Sequence, residues 1–474
     1  MSHREGRTAG ATDRRQDAGR EERELCAQDS GEPIGSAEPL RDGDAALREG
    51  REITRMTANG VAIHAFVNPA LHGFFLALYL RAGCLYESEA HAGITHFFEH
   101  TAIRNVEKIT GGRLYRDLDR AGLDMNATTY SEMVQFYVSG ASCHFERGAR
   151  FLSMLLSPFS LDRAGIDAER KRIKAEIRES DDRSSLATFS NGIVYRGTPL
   201  AYSILGTCRT VNAINGACLE AFRRQITTRE NLFFYLTGNV SERDIDALAA
   251  MIGSYDIPHG VPRLNIAPVP CDFFAREPEV AVKDADYTAL RFSFDLDMTK
   301  VSVAETDLLY DVLLAGNNSR FYLEMSELRG MFYDIAGSIE RYANIGSFYF
   351  TFEVKEKEIY EAADMVTDIL NDFCAHPIDA ADMMKAGYVD NAYLLYDDPR
   401  EFNFAYAYDN HIGNAGYRTV GDRVAAYRAV TPERLCEVAR CVFRPENLVL
   451  TVKGNRRRIR VDRLREIVCR VGRI

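Results

Sequence analysis

Two stretches 216 residues apart repeat one another. Thr228-Arg-Glu-Asn-Leu-Phe-Phe-Tyr-Leu-Thr-Gly-Asn239 and Arg444-Pro-Glu-Asn-Leu-Val-Leu-Thr-Val-Lys-Gly-Asn455 share Glu-Asn-Leu and Gly-Asn in register. Each follows a helical pattern and reads as an arm leading into a strand. The strand-like run Ala289–Leu296 falls at nearly the same offset from Leu76 to Gly83. Self-similarity at this spacing predicts two similar halves, each an antiparallel sheet with helices packed on one side, an α+β fold.

The expected boundaries follow from composition. Residues 1–48 are crowded with Arg, Asp, Glu, Gly and Ser without apolar periodicity, so they read as a disordered extension. Residues 49–256 form the first half and 281–474 the second. Between them, 257–280 reads as a linker, because Pro258, Pro262, Pro268, Pro270 and Pro278 lie there out of only 14 prolines. In the first half, Val61–Val67 and Gly73–Leu80 are β-rich runs split by a Pro-containing turn, which predicts an antiparallel pair. Helices are expected over 112–120, 144–157 and 163–182, and the run from Leu123 to Val138 ends in an alternating strand.

The chemistry concentrates in His96-Phe97-Phe98-Glu99-His100, which follows Gly93 with no breaker inside it. Residues four apart share a helical face, so His96 and His100 can aim two imidazoles at one ion. Glu99 lies beside them, placed to move a proton rather than to bind the metal. A catalytic zinc site has three protein ligands, so a third must come from elsewhere. Glu169 and Glu176 are two turns apart and share a face of the charged 163–182 segment. The second half has Thr306-Asp-Leu-Leu-Tyr-Asp311 where the first has its histidines, so only one half carries this chemistry.

A net charge of -11 argues against general nucleic-acid binding, and no apolar run reaches the length of a membrane span. The arginines of 456–460 read as a solvated C-terminal helix or a contact with the partner half. Ten scattered cysteines without a CxxC pair, and no signal segment, lead to the expectation of reduced thiols in a cytoplasmic protein.

The chain resembles the inverted-zinc-motif metallopeptidases of the pitrilysin, insulinase and mitochondrial processing peptidase family, in particular its short bacterial branch. The likeness covers about residues 52–456. It rests on Ala82-Gly83, Glu87, the Gly93–His100 run, Asn126-Ala127-Thr128-Thr129 with Tyr137, Glu169 through Glu176, Ile204-Leu-Gly206 and the 319–333 run. The resemblance implies a clamshell of two halves around one zinc ion per chain. It assigns His96, His100 and Glu176 as ligands (Glu179 is the rival third), Glu99 as general base and Glu169 as the carboxylate orienting a ligand. Asn126 and Ala127 match an edge strand that pairs with an extended peptide, and Arg329 and Tyr333 match donors to the scissile carbonyl. Here Glu327-Leu-Arg329-Gly-Met-Phe-Tyr333 is shorter than the family pattern. The implied activity is a zinc endopeptidase acting on short or unfolded peptides. The competing reading is a catalytically silent peptide-binding or scaffolding subunit. A dimer is expected, with itself or with a related chain.

Overall fold

The computed structural model describes residues 51–183, 185–317, 319–377, 392–413, 416–417 and 420–473. The extension expected over 1–48 lies outside the described residues. The first half runs β1 (Arg51–Met56), β2 (Ala62–Val67), β3 (Gly73–Leu80), α1 (Ile94–Ile109), α2 (Leu114–Ala121), β4 (Asp124–Thr129), β5 (Val134–Ala141), α3 (Phe145–Ser153) and α4 (Arg163–Arg183). It continues through α5 (Ser185–Val194), α6 (Cys208–Ala213), α7 (Gly216–Ile226), β6 (Leu232–Gly238) and α8 (Glu242–Gly253). The second half comprises β7 (Glu279–Asp284), β8 (Ala289–Asp297), α9 (Val303–Leu314), β9 (Ile335–Arg341), β10 (Ile345–Glu353) and α10 (Ile359–Ala375). It ends with α11 (Pro399–Ala407), α12 (Val420–Ala429), α13 (Pro432–Val442), β11 (Leu448–Gly454) and α14 (Val461–Val468).

The strand orders are β1-β2-β6-β3-β5-β4 and β7-β11-β8-β10-β9. Leaving β1 aside, these are one topology used twice. Both sheets are antiparallel except where β2 meets β6 and β7 meets β11 in parallel. The runs 61–67 and 73–80 are therefore not the neighbours their short connection predicts: β6 lies between them. All seven residues of β6 are buried, and a strand apolar on both faces belongs in a sheet's interior rather than at its edge. The counterpart of β8 is β3, whose first residues Gly73 and Ala289 are 216 apart, not the run three residues later.

The repeated Glu-Asn-Leu has a structural reason. The buried Asn231 amide donates to the Ile226 carbonyl at 3.1 Å and to that of Arg81 at 3.0 Å. Asn447 does the same work in the second half, donating to Val442 and Cys441 at 3.0 Å each. In both, the side chain donates to the carbonyl of a helix's last residue, Ile226 or Val442, just before the next strand begins; the second acceptor is Arg81, just after β3, in one half and Cys441 of the helix itself in the other.

Along β3, Phe74, Leu76, Leu78 and Leu80 face the core shared with Phe97, Phe98 and Leu152 of their own half. Phe75, Ala77 and Tyr79 face the other way, into a core with Phe402, Tyr406 and Ala407. That second face is covered by α11, a helix of the opposite half, which packs on β3 and β6. The exchange is mutual, because α5 packs on β8 and β11. Helices thus cover both faces of each sheet, the home half supplying one face and the other half the second. Phe402 stacks on Phe66 with centroids 4.2 Å apart, and burying one such ring contributes roughly 2–3 kcal/mol. Asn403 seals the crossing by donating to the Tyr235 carbonyl at 2.8 Å and accepting from the Tyr79 hydroxyl at 2.8 Å. The described residues accordingly belong to one compact unit. The proline-rich segment is irregular but anchored: Ala267 and Asn344 exchange two hydrogen bonds of 2.9 Å. Among the described residues, no helix is long and apolar enough to cross a membrane.

Candidate metal centre

The motifs that flank the histidines seat helix α1. Its N-cap, Gly93, sits at φ 89° with its backbone against Gly206, itself at φ 69°. A Cβ on Gly93 would stand 2.7 Å from the Leu205 carbonyl oxygen, and one on Gly206 only 2.3 Å from that of Ala92. Both positions need glycine for conformation and for space. The buried Glu87 carboxylate accepts from the Gly93 and Thr95 amides at 2.8 and 2.9 Å, filling open donors at the positive end of the helix. The Thr95 hydroxyl in turn accepts from the Gly83 amide at 3.0 Å. Ala82-Gly83, Glu87, Gly93 and Ile204-Leu-Gly206 are thus one device that fixes where α1 begins.

From that start the helix buries Phe97, Phe98, Ala102 and Val106. His96, Glu99 and His100 lie on the side that meets α4 and β4. Nε2 of His100 lies 3.4 Å from Oε2 of Glu176, and Nε2 of His96 lies 3.7 Å from the same oxygen. The three donor atoms fall within 4.8 Å of one another, the one such group of three among the described residues. Donors held tetrahedrally by one ion at about 2.0–2.1 Å stand roughly 3.4 Å apart, so two imidazoles and a carboxylate at these separations fit zinc. Glu179 is exposed and outside the group.

Glu169 completes the arrangement from below. It is buried, and its Oε2 lies 3.3 Å from Nδ1 of His100, leaving Nε2 aimed at Glu176. Arg104 and Arg172 stand 3.3 and 3.2 Å from its oxygens. Burial raises the Glu169 pKa, but His100 and the two guanidinium groups outweigh it and hold the carboxyl below its usual range. A ligand imidazole oriented by a carboxylate on its far nitrogen is the usual support of a metal histidine. His96 is pushed down to about 3 by burial and by His100 beside it, so it stands as the neutral imidazole a metal needs. Burial opposes protonation of His100 too, but Glu169, Glu176 and Glu99 prevail and raise its pKa. The Nδ1 atom of His96 is buried without a hydrogen-bond partner.

Glu99 lines the pocket above the group, a cavity of about 360 Å³ that also takes in Ile103, Tyr115 and Asn126. Burial raises its carboxyl pKa, against the Thr129 hydroxyl that donates to Oε2. Asn126 and Ala127 lie on β4, the outer strand of the sheet, which pairs with β5 alone. Asn126 is exposed, and Ala127 follows it along the open edge. Arg329 and Tyr333 are not brought to this pocket. Arg329 lies 3.6 Å from Glu361 at the surface of the second half, and Tyr333 is 97% exposed. The sequence reading gave no role to Thr129, Arg104, Arg172 or Tyr115. Only helical spacing hinted at two of them: Arg104 is four residues after His100, and Arg172 three after Glu169.

Two family models match, "Insulinase (Peptidase family M16)" over residues 69–208 and "Peptidase M16 inactive domain" over residues 213–386. The chain belongs to peptidase family M16. The mitochondrial-processing peptidase subunit beta of Blastocladiella emersonii is 26% identical over 200 residues, 42% of this chain and 43% of that protein. The alignment thus spans less than half of that relative. An uncharacterized zinc protease of Bacillus subtilis, YmxG, is 22% identical over 291 residues, 61% of this chain and 70% of that one. Bovine cytochrome b-c1 complex subunit 1 is 26% identical over 205 residues, 42% of each chain. The crystal structure of a protease from Helicobacter pylori superposes with a TM-score of 0.75 at 13% identity, covering 85% of this chain and 99% of that one. At that identity the likeness speaks for the fold, which is the two-halved M16 architecture.

Proposed function

We propose that this chain is a zinc endopeptidase that cuts short or unfolded peptides. The observation that carries the reading is one cluster in which His96, His100 and Glu176 converge while Glu99 stands beside them at an open sheet edge. Zinc held by His96, His100 and Glu176, one ion per chain, would supply Lewis acidity toward water and a peptide carbonyl. An extended peptide adds to β4 by main-chain pairing, along Asn126 and Ala127, with little demand on its side chains. Glu99 takes a proton from the attacking water and returns it to the leaving amine. Glu169 keeps the His100 ring oriented. The nine cysteines of the described residues are free, which supports a reducing, cytoplasmic setting. The named relatives include subunits of larger assemblies, and we place this chain in a dimer with itself or a related chain.

One observation favours the second reading, a silent peptide-binding or scaffolding subunit: Arg329 and Tyr333 lie away from the pocket, so neither is placed to donate to the scissile carbonyl. Mass spectrometry of an unstructured peptide mixture separates the two, using wild type, Glu99→Gln and a chelator-treated sample. Cleavage by wild type is expected, with turnover lower by a factor on the order of a hundred or more in Glu99→Gln while zinc is retained. Wild type that binds peptides and cuts none of them would favour the silent subunit, or an enzyme that needs a related partner chain.

A further inference from the structure

We propose that Thr129 is a positioning residue through which the peptide-accepting edge strand holds the Glu99 carboxylate in place, an inference that rests on the peptidase reading above. Thr129 is the last residue of β4, three positions after Asn126, and its register partner on β5 is Val134. Its hydroxyl donates to Oε2 of Glu99, and among the described residues this is the one hydrogen bond that the Glu99 side chain makes. The helix fixes the Glu99 backbone but not its carboxylate, which swings about three side-chain torsions. Thr129 belongs to β4, the strand whose Asn126 lines the pocket that Glu99 also lines, so it sets the carboxylate's direction relative to the strand rather than to the helix. A peptide pairing with β4 would be registered against that strand. The hydroxyl therefore places the base in the frame of the bound substrate. A base directed in this frame reaches the reactive geometry without a search, and misplacement by about 1 Å is enough to cost a large factor in rate.

The test compares Thr129→Val, which keeps shape and β-branching but loses the donor, with Thr129→Ser, which keeps the donor. Thr129→Val is expected to lower kcat roughly tenfold or more with KM within about twofold, while Thr129→Ser stays near wild type. Zinc content should be the same in all three. Crystal structures of the zinc-loaded proteins supply a readout that needs no turnover: one Glu99 carboxylate orientation in wild type and Thr129→Ser, several in Thr129→Val. An unchanged kcat in Thr129→Val, a loss confined to KM, or a single unmoved Glu99 orientation without the hydroxyl would overturn the proposal. Wild type that cuts no peptide would remove the peptidase reading, and the Glu99 orientations would still decide what Thr129 does.

Discussion

The two halves share a scaffold and differ in what it holds. Strands β9 and β10 begin at Ile335 and Ile345, each 211 residues after Asp124 and Val134, the first residues of β4 and β5. On that register Asp307, Tyr310 and Asp311 occupy the places of His96, Glu99 and His100. Helix α9 packs on edge strand β9 as α1 packs on edge strand β4. In the first half the cleft gathers donors that one another's presence does not neutralise. In the second, the Arg341 guanidinium binds Asp307, the Tyr427 hydroxyl donates to the same carboxylate, and Tyr310 donates to the Gly337 carbonyl at 3.1 Å. Burial and Asp307 together raise the Asp311 carboxyl to about 6. Here a guanidinium of the protein itself pairs with the carboxylate. The comparison teaches that topology builds a cleft twice, and that side-chain charge decides which copy binds an ion.

The strongest way to break this contrast is to exchange losses. His96→Ala or His100→Ala is expected to lower zinc affinity by more than a hundredfold, because the remaining donors cannot close a ligand shell. Asp307→Ala should leave zinc content untouched and instead cost about 2–3 kcal/mol of stability, since it strands the half-buried Arg341. Metal analysis with denaturant titration checks both, and zinc loss in Asp307→Ala would end the idea that the halves have divided their roles. Within the first half, Glu176→Gln should weaken zinc binding more than Glu169→Gln, for which roughly 10–100-fold is expected. Equal losses at the two would mean that the third ligand is misassigned.

Smaller effects sharpen the sameness of the scaffold. Asn231→Ala and Asn447→Ala each remove two side-chain hydrogen bonds to backbone carbonyls and should each cost roughly 1–3 kcal/mol, as urea midpoints would show. A pair of values differing by more than about twofold would show that one half has come to depend less on the motif. The smallest effect concerns the contact between halves, where His64 of β2 stacks on His411 with centroids 3.8 Å apart. Burial pushes His64 down to about 4, and burial, His64 and Arg81 push His411 to about 3. Both are neutral in the fold, whereas the unfolded chain protonates them near 6.5. Their contribution is complete above about pH 6.5 and is lost as the pH falls from there toward 4. Replacing both by Gln should reduce the drop in Tm between pH 7 and 5 by a few degrees, measured against wild type in the same buffers.

What the sequence by itself determined is the part set by local geometry and by repetition. The spacing of His96, Glu99 and His100 puts them on one side of a helix whatever surrounds it, because the helical period is a property of the backbone. The shared Glu-Asn-Leu and Gly-Asn disclosed the doubling, because each Asn does the same work beside its own helix. Assignment of Glu176 and Glu169 came through family resemblance, since nothing in the spacing alone brings α4 against α1. Tertiary structure alone decided that β6 separates β2 from β3, that α5 and α11 cross to the opposite sheets, and that Thr129 meets Glu99. Those are pairings between distant residues. A strand's unbroken apolar run shows that it is buried on both faces but carries no record of its neighbour, which is chosen by closing the whole core at once.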